Sequence, residues 1–215
     1  MDKKIRLAIL GAGEFGRQIT HYAHLSGVYD VVAFFDDIMS TETSVLDIPI
    51  LGGMNDVLTA FKDNKFDKAF IGLGYAHFDV KDHLLHFLKE NNIPLATIVS
   101  PNVYIDPTAK IGDGVILYPG CVIDKDVVLK DNVAVNVSTT VAHNSVVGEN
   151  TFLAGGSTMA GYSSIGKNCF LGVNSVINDH ISVGDNIVIA SLTVVSKKLK
   201  NPGTYFNDNR RIFSM

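Results

Sequence analysis

The segment Gly11-Ala12-Gly13-Glu14-Phe15-Gly16 carries glycines at a spacing that lets a backbone loop approach a phosphate, and it runs into a helical stretch whose N-terminus favours negative charge. Asp36 and Asp37 stand about twenty residues further on, where an acid commonly holds a ribose hydroxyl. Taken alone, this pattern points to a nucleotide site, and a nicotinamide-dependent oxidoreductase is the first candidate. Gly52, Gly53, Gly72 and Gly74 close other predicted strands, at the end of the sheet where ligands of such folds bind.

These residues need a parallel sheet to position them. The first half of the 215-residue chain supplies its pattern, with strands predicted at Ile5–Leu10, 31–35, Lys68–Ile71 and 95–98, and helices at Glu14–Leu25, 55–61 and 77–90. About ninety-five residues hold one mononucleotide-binding unit rather than the two halves of a dinucleotide site. A mononucleotide-linked ligand therefore fits residues 1–98 better than NAD does.

Residues 99–215 follow a different period. From Ile105, every sixth residue through Val195 is aliphatic or Met, and four residues after each comes another small or apolar residue, as in Cys121, Thr139, Ser157 and Cys169. Gly112, Gly148, Gly166, Gly172 and Gly184 follow the aliphatic position with Asp or Asn close behind, and these glycines and Asx residues are expected to tolerate the tight corners. This repeat resembles the hexapeptide signature of left-handed parallel β-helices, in which eighteen residues make one triangular coil. Residues eighteen apart then stack at ~4.8 Å, which sets Gly161 directly next to His143, with Lys125 on its other side.

Composition narrows the function. Apolar residues make up 47% and charged residues 19%, as in an ordinary globular protein, and no stretch is long and apolar enough to span a membrane. The net charge of -4 offers no footprint for nucleic acid. Two cysteines are too few for a disulfide scaffold or a four-cysteine zinc site, and no metal is expected. No apolar leader follows Met1, so a cytoplasmic protein is expected.

A small Rossmann-like domain followed by a hexapeptide β-helix resembles the bacterial sugar acyltransferases of the PglD/NeuD type, over nearly the whole chain. The most specific piece is Val135-Asn136-Val137-Ser138-Thr139-Thr140-Val141-Ala142-His143-Asn144. The resemblance implies transfer of acetyl from acetyl-CoA to a UDP- or dTDP-linked 4-amino-4,6-dideoxy sugar in surface glycan or lipopolysaccharide biosynthesis. It makes His143 the general base, assisted by Asn144 and Asn136, and it implies a homotrimer with active sites between subunits. A neutral imidazole suits that task because an amine attacking a thioester must lose a proton. The nucleotide sugar is expected at Gly11, Gly13, Gly16, Asp36, Asp37 and Gly72. Acetyl-CoA is expected near Gly161, Asp179, His180 and Arg210, with the Gly161 N–H facing the developing oxyanion.

The chain departs from the family pattern at several positions. Asn144 replaces the usual acid after the histidine, Phe152 stands where one branch has a second histidine, and Glu14 occupies a common glycine position in the loop. Asn207-Asp208-Asn209-Arg210 replaces the family's closing stretch, although Arg210 and Arg211 retain positive charge for CoA phosphates. Two other readings share this fold: an O-acetyltransferase on sialic acid or another glycan sugar, and a non-catalytic nucleotide-binding trimer.

Overall fold

The computed structural model describes residues 3–207, so Arg210 and Arg211 lie outside the described residues. The chain opens with β1 (Ile5–Leu10), α1 (Glu14–Leu25) and β2 (Tyr29–Phe35), then a small antiparallel hairpin of β3 (Ser44–Val45) and β4 (Ile48–Pro49). α2 (Val57–Lys62), β5 (Lys68–Ile71) and α3 (Phe78–Glu90) complete the first unit. The parallel sheet has the order β2-β1-β5 and is extended by single bridges from Phe34 to Ile50 and from Ala69 to Leu95. Alternate residues of β1 serve two layers. Leu7 and Ile9 pack with Ile19 and Ala23 of α1, whereas Ala8 and Leu10 pack with Val57 of α2 and Leu84, Leu85 and Leu88 of α3. Burial on both faces explains why β1 reads as an apolar run rather than an alternation.

The strand predicted at 95–98 divides in the structure. Leu95 closes the first sheet, while β6 (Ile98–Val99) pairs with Ile116–Leu117 and opens the second unit. From there to Val195 the chain is a parallel β-helix of hexapeptide repeats, and its short strands, with Gly203–Tyr205 added after the last coil, form three faces of seven, six and five strands. Partners are eighteen residues apart, as in Val122 with Thr140 and Thr140 with Thr158, and no loop interrupts the series. The aliphatic column points inward: Ile123, Val135, Val141, Val147, Leu153, Met159 and Ile177 are all fully buried. Cys121 and Cys169 belong to the second interior column as free thiols, and burial pushes both up to about 11.

At the corners, the asparagines and the glycines have different tasks. The residues that turn left-handed are mostly asparagines three positions beyond the aliphatic one, including Asn132, Asn144, Asn150, Asn168, Asn174 and Asn186 at φ between 51° and 59°. Asparagine tolerates this region better than other side chains. Gly148 and Gly166 have ordinary φ and are needed for a different reason: a Cβ on Gly148 would lie 2.4 Å from the Gly166 carbonyl carbon, and one on Gly166 would lie 2.6 Å from that of Gly184. Three corners break the asparagine rule with large side chains, Tyr162 (φ 55°), His180 (φ 57°) and Leu192 (φ 60°).

The seven-stranded face carries the first unit, and one apolar core runs through both. The Tyr118 hydroxyl donates to Gln18 Oε1 at 2.7 Å, and the Tyr22 ring meets Tyr118 edge-on at 4.6 Å. Asn150 Nδ2 donates to the Phe78 carbonyl at 3.0 Å, while Lys89 Nζ pairs with Asp131 at 2.6 Å and Glu149 at 3.4 Å.

Candidate functional site

The glycine loop sits where β1 ends and α1 begins. Gly11 has φ 109°, and a Cβ on Gly16 would fall 2.0 Å from the Gly11 carbonyl oxygen, so these two permit a turn that no other residue fits. Gly72 closes against the same turn, since its Cβ would lie 2.6 Å from Ile9 and 3.1 Å from the Gly16 Cα. Gly13 is different: nothing lies within 4 Å of its would-be Cβ, and no side chain caps the helix it begins. Of the loop's glycines, Gly13 is the one that faces open space at a helix N-terminus, as an anion site requires.

The acids after β2 are only partly available. Asp36 Oδ2 accepts from the Ala12 N–H at 2.8 Å, and its Oδ1 accepts from Ile38 and Met39 at 2.9 and 3.1 Å. Partial burial pushes this carboxyl up, but the three N–H donors outweigh it and hold the group below the usual carboxylate range. Asp36 therefore shapes the glycine loop rather than offering a free carboxylate to a ribose. Asp37 is exposed, and among the described residues only its Oδ1 is engaged, by the Met54 N–H at 2.7 Å. Asp37 is the acid with an oxygen left over.

His143 lies on the corner between the six-stranded and five-stranded faces, in the turn after Thr140–Val141. Its backbone is pinned on both sides, by its N–H to Asp124 Oδ2 at 3.2 Å and its carbonyl to the Tyr162 N–H at 3.0 Å. The ring Nδ1 lies 3.2 Å from Asn144 Oδ1. An amide oxygen can only accept, so in this arrangement Nδ1 carries the proton and Nε2 keeps its lone pair. The ring lies against Gly161, where a Cβ would come within 2.7 Å of both Cε1 and Nε2. Any residue but glycine at 161 would collide with the imidazole. The Gly161 carbonyl accepts from His180, whereas its N–H donates to no backbone or side-chain acceptor among the described residues.

Asn136 does not reach this imidazole. It sits on the other edge of the six-stranded face, with its Oδ1 taken by the Val137 N–H at 2.7 Å. Asp179 and His180 stand above Gly161 on the same corner, both exposed, and His180 is not isolated. Its ring stacks on Tyr162 with centroids 4.9 Å apart and planes within 3°, and Tyr162 in turn meets His143 at 5.2 Å and 86°. Tyr162 is the residue that sequence reasoning missed. The signal lies in the register, because Asn144, Tyr162 and His180 are eighteen apart and so stack beside the column through His143 and Gly161.

Fold and site define a hexapeptide-repeat protein with a Rossmann-like first domain. Residues 6–78 match the PglD N-terminal domain, and residues 99–204 match the GMPPB C-terminal domain. Among solved structures, the acetyltransferase domain of PglB from Neisseria gonorrhoeae superposes with a TM-score of 0.87 at 22% identity, covering 95% of this chain and 97% of its own. That domain has also been solved with acetyl coenzyme A. PerB from Caulobacter crescentus, in complex with CoA and GDP-perosamine, gives 0.85 at 21% identity over 94% of this chain and 93% of that one. WeeI from Acinetobacter baumannii gives 0.80 at 21%, over 98% and 100%. No curated protein matches the sequence. The chain thus joins a PglD-type N-terminal domain to a hexapeptide β-helix, and over its length it has the fold of these acetyltransferases. None of its helices among the described residues is long and apolar enough to cross a membrane.

Proposed function

We propose that the protein transfers acetyl from acetyl-CoA to the amine of a nucleotide-linked amino sugar, a 4-amino-4,6-dideoxy sugar carried by UDP or dTDP, with His143 as general base. The observation that carries this reading is the His143 imidazole, held by Asn144 with its Nε2 lone pair beside side-chain-free Gly161. The amine nitrogen attacks the thioester carbonyl and loses a proton to Nε2. The new N–C bond forms, the C–S bond breaks, and the proton passes from Nε2 to the departing sulfur. The Gly161 N–H, which has no acceptor among the described residues, faces the oxyanion. Gly13 and the start of α1 hold the diphosphate, and the free oxygen of Asp37 takes the ribose.

A homotrimer is the assembly we propose, and the placement of these parts in one chain supports an active site shared between copies. The glycine loop belongs to the unit seated on the seven-stranded face, whereas His143 occupies the corner between the other two faces. A second copy is what brings a nucleotide loop to each base, and it is also what gives Asn136 a place near an imidazole. We place the reaction in the cytoplasm, in surface glycan or lipopolysaccharide assembly, with Arg210 reserved for CoA.

The test is release of free CoA thiol from acetyl-CoA, with and without a panel of UDP- and dTDP-linked 4-amino-4,6-dideoxy sugars. GDP-perosamine joins the panel because PerB binds it. Release with one nucleotide sugar, abolished in His143→Ala while the fold persists, is the expected result. Release only with a free sialic acid or glycan hydroxyl, or full activity in His143→Ala, overturns it.

A further inference from the structure

The loop after β5 lies on the opposite side of the glycine turn from Asp37. The sheet order β2-β1-β5 puts the acid at the end of β2, the glycine turn at the end of β1 and residues 72–77 at the end of β5. A ligand with its diphosphate at Gly13 and its ribose at Asp37 therefore extends its remaining group over the end of β5, across the crevice where such sheets bind. Gly72 and Leu73 close against the glycine turn, since a Cβ on Gly11 would lie 2.7 Å from Leu73 Cδ2 and 2.9 Å from the Gly72 carbonyl oxygen. Gly74, like Gly13, has nothing within 4 Å of its would-be Cβ, so the loop meets open space there.

Tyr75 comes next, at the start of a short 3-10 turn over Tyr75–His77. Its ring centroid is 4.2 Å from that of Phe170 with the planes 32° apart, a separation that requires the two rings to lie face to face. Phe152 is 5.6 Å from Tyr75 and 5.8 Å from Phe170, so both phenylalanines sit on one side of the tyrosine. The other face of Tyr75 is free of both, and the residue is 50% exposed. Unlike the hydroxyls of Tyr29, Tyr118 and Tyr205, that of Tyr75 bonds to nothing among the described residues. Phe15, between Glu14 and Gly16 in the glycine loop, packs on the same Phe152 at 5.9 Å, which keeps the exposed ring close to the glycine turn.

A half-exposed ring backed by two phenylalanines is a rigid apolar platform. The phosphates and hydroxyls of a nucleotide sugar need polar partners, whereas the C–H face of a pyranose and the C6 methyl of a 6-deoxy sugar do not. We propose that Tyr75 is a specificity-determining residue, on whose free ring face the amino sugar lays its C–H face and its C6 methyl. A hydroxyl at C6 would be stripped of water there with no partner from the ring, so the platform selects the 6-deoxy sugar. This rests on the nucleotide-sugar reading given above.

The test is calorimetric titration of the parent, Tyr75→Phe and Tyr75→Ala with three ligands built on one nucleotide, UDP, dTDP or GDP. The ligands are the nucleoside diphosphate alone, its 4-amino-4,6-dideoxy sugar, and the counterpart that keeps the C6 hydroxyl. The parent is expected to bind the 6-deoxy sugar roughly ten- to a hundredfold more tightly than the 6-hydroxyl one, the range an apolar site achieves against an added hydroxyl. Tyr75→Phe keeps the ring and should hold that ratio. Tyr75→Ala should weaken the 6-deoxy sugar by roughly tenfold or more and bring the ratio to about threefold or less. Its Kd for the nucleoside diphosphate should stay within about twofold of the parent's, which also shows that the glycine turn keeps its shape.

Tyr75→Ala binding both sugars as the parent does overturns the proposal. An equal loss for all three ligands overturns it too, because Tyr75 would then only fasten the loop to the β-helix. A parent that binds the diphosphate but does not separate the two sugars sinks the role of Tyr75 and leaves the nucleotide reading standing. A parent that binds none of the three ligands overturns that reading and the proposal with it.

Discussion

Lys81 lies on the inward face of α3, almost wholly buried, with its ammonium 5.6 Å from the Phe78 ring centre and no acid paired with it among the described residues. Burial pushes this amine down to about 8 from an ordinary 10.5. Below about pH 8 both folded and unfolded chains carry the proton, and the folded state bears the full desolvation penalty. Between about 8 and 10.5 the unfolded chain still binds a proton that the folded one has released, so stability rises with pH across that window. Lys81→Met should stabilise the protein by on the order of 3 kcal/mol at pH 7, falling to on the order of 1 kcal/mol at pH 9.5. Urea unfolding at the two pH values measures this, and an equal gain at both would rule out the titration. Single residues such as this one are where the sequence is least legible. Nothing in the spacing of Asp36 and Asp37 tells that Asp36 is turned inward onto the Ala12, Ile38 and Met39 N–H groups while Asp37 keeps an oxygen free.

At the scale of elements, legibility follows burial. The six-residue column was plain because each of its members must be apolar to fill the interior of the β-helix, and β1, β2 and β5 were plain for the same reason, whereas the two-residue strands β3 and β4 are too short to carry a period. Which residue turns each corner was not plain, because glycine and asparagine both mark turns and only backbone geometry separates their roles. Asn132, Asn150 and Asn168 do more than turn the chain. Their side chains bond upward at 2.9 and 2.7 Å, and Asn150 reaches across to Phe78, tying the corner to α3. The glycines predict a contrast. Gly148→Ala places a methyl 2.4 Å from the Gly166 backbone, so two coils must separate and the variant should lose about 1–3 kcal/mol or more in denaturant unfolding. Gly13→Ala meets open space at an ordinary φ of -71° and should unfold within about 0.5 kcal/mol of the parent. If Gly13 holds the diphosphate as proposed, the effect should appear instead as a raised KM for the nucleotide sugar, because the methyl would stand where phosphate oxygens approach. Wild-type KM in Gly13→Ala would remove the helix start from the site.

At the scale of the whole molecule, the two units are not beads on a string. Phe15, from the glycine loop, packs on Phe152 of the β-helix at 5.9 Å, and Tyr75, from the loop after β5, lies 4.2 Å from Phe170. Both loops are thereby packed on the seven-stranded face, away from the corner where their own His143 sits. If each active site takes its loop from one chain and its base from another, two inactive variants should rescue each other. His143→Ala removes the base and leaves the loop intact. Gly13→Asp sets a carboxylate in the phosphate position, with room for it, and leaves the base intact. Neither variant alone should turn over. Trimers formed from an equal mixture of the two should recover roughly a quarter of wild-type activity, since a site works only where an intact loop meets an intact base across one interface. Light scattering at three times the chain mass, with differential tags to prove mixing, makes the experiment decisive. Mixed trimers that stay inactive would place loop and base within one chain, and the fixed docking of the two units would then have to give way.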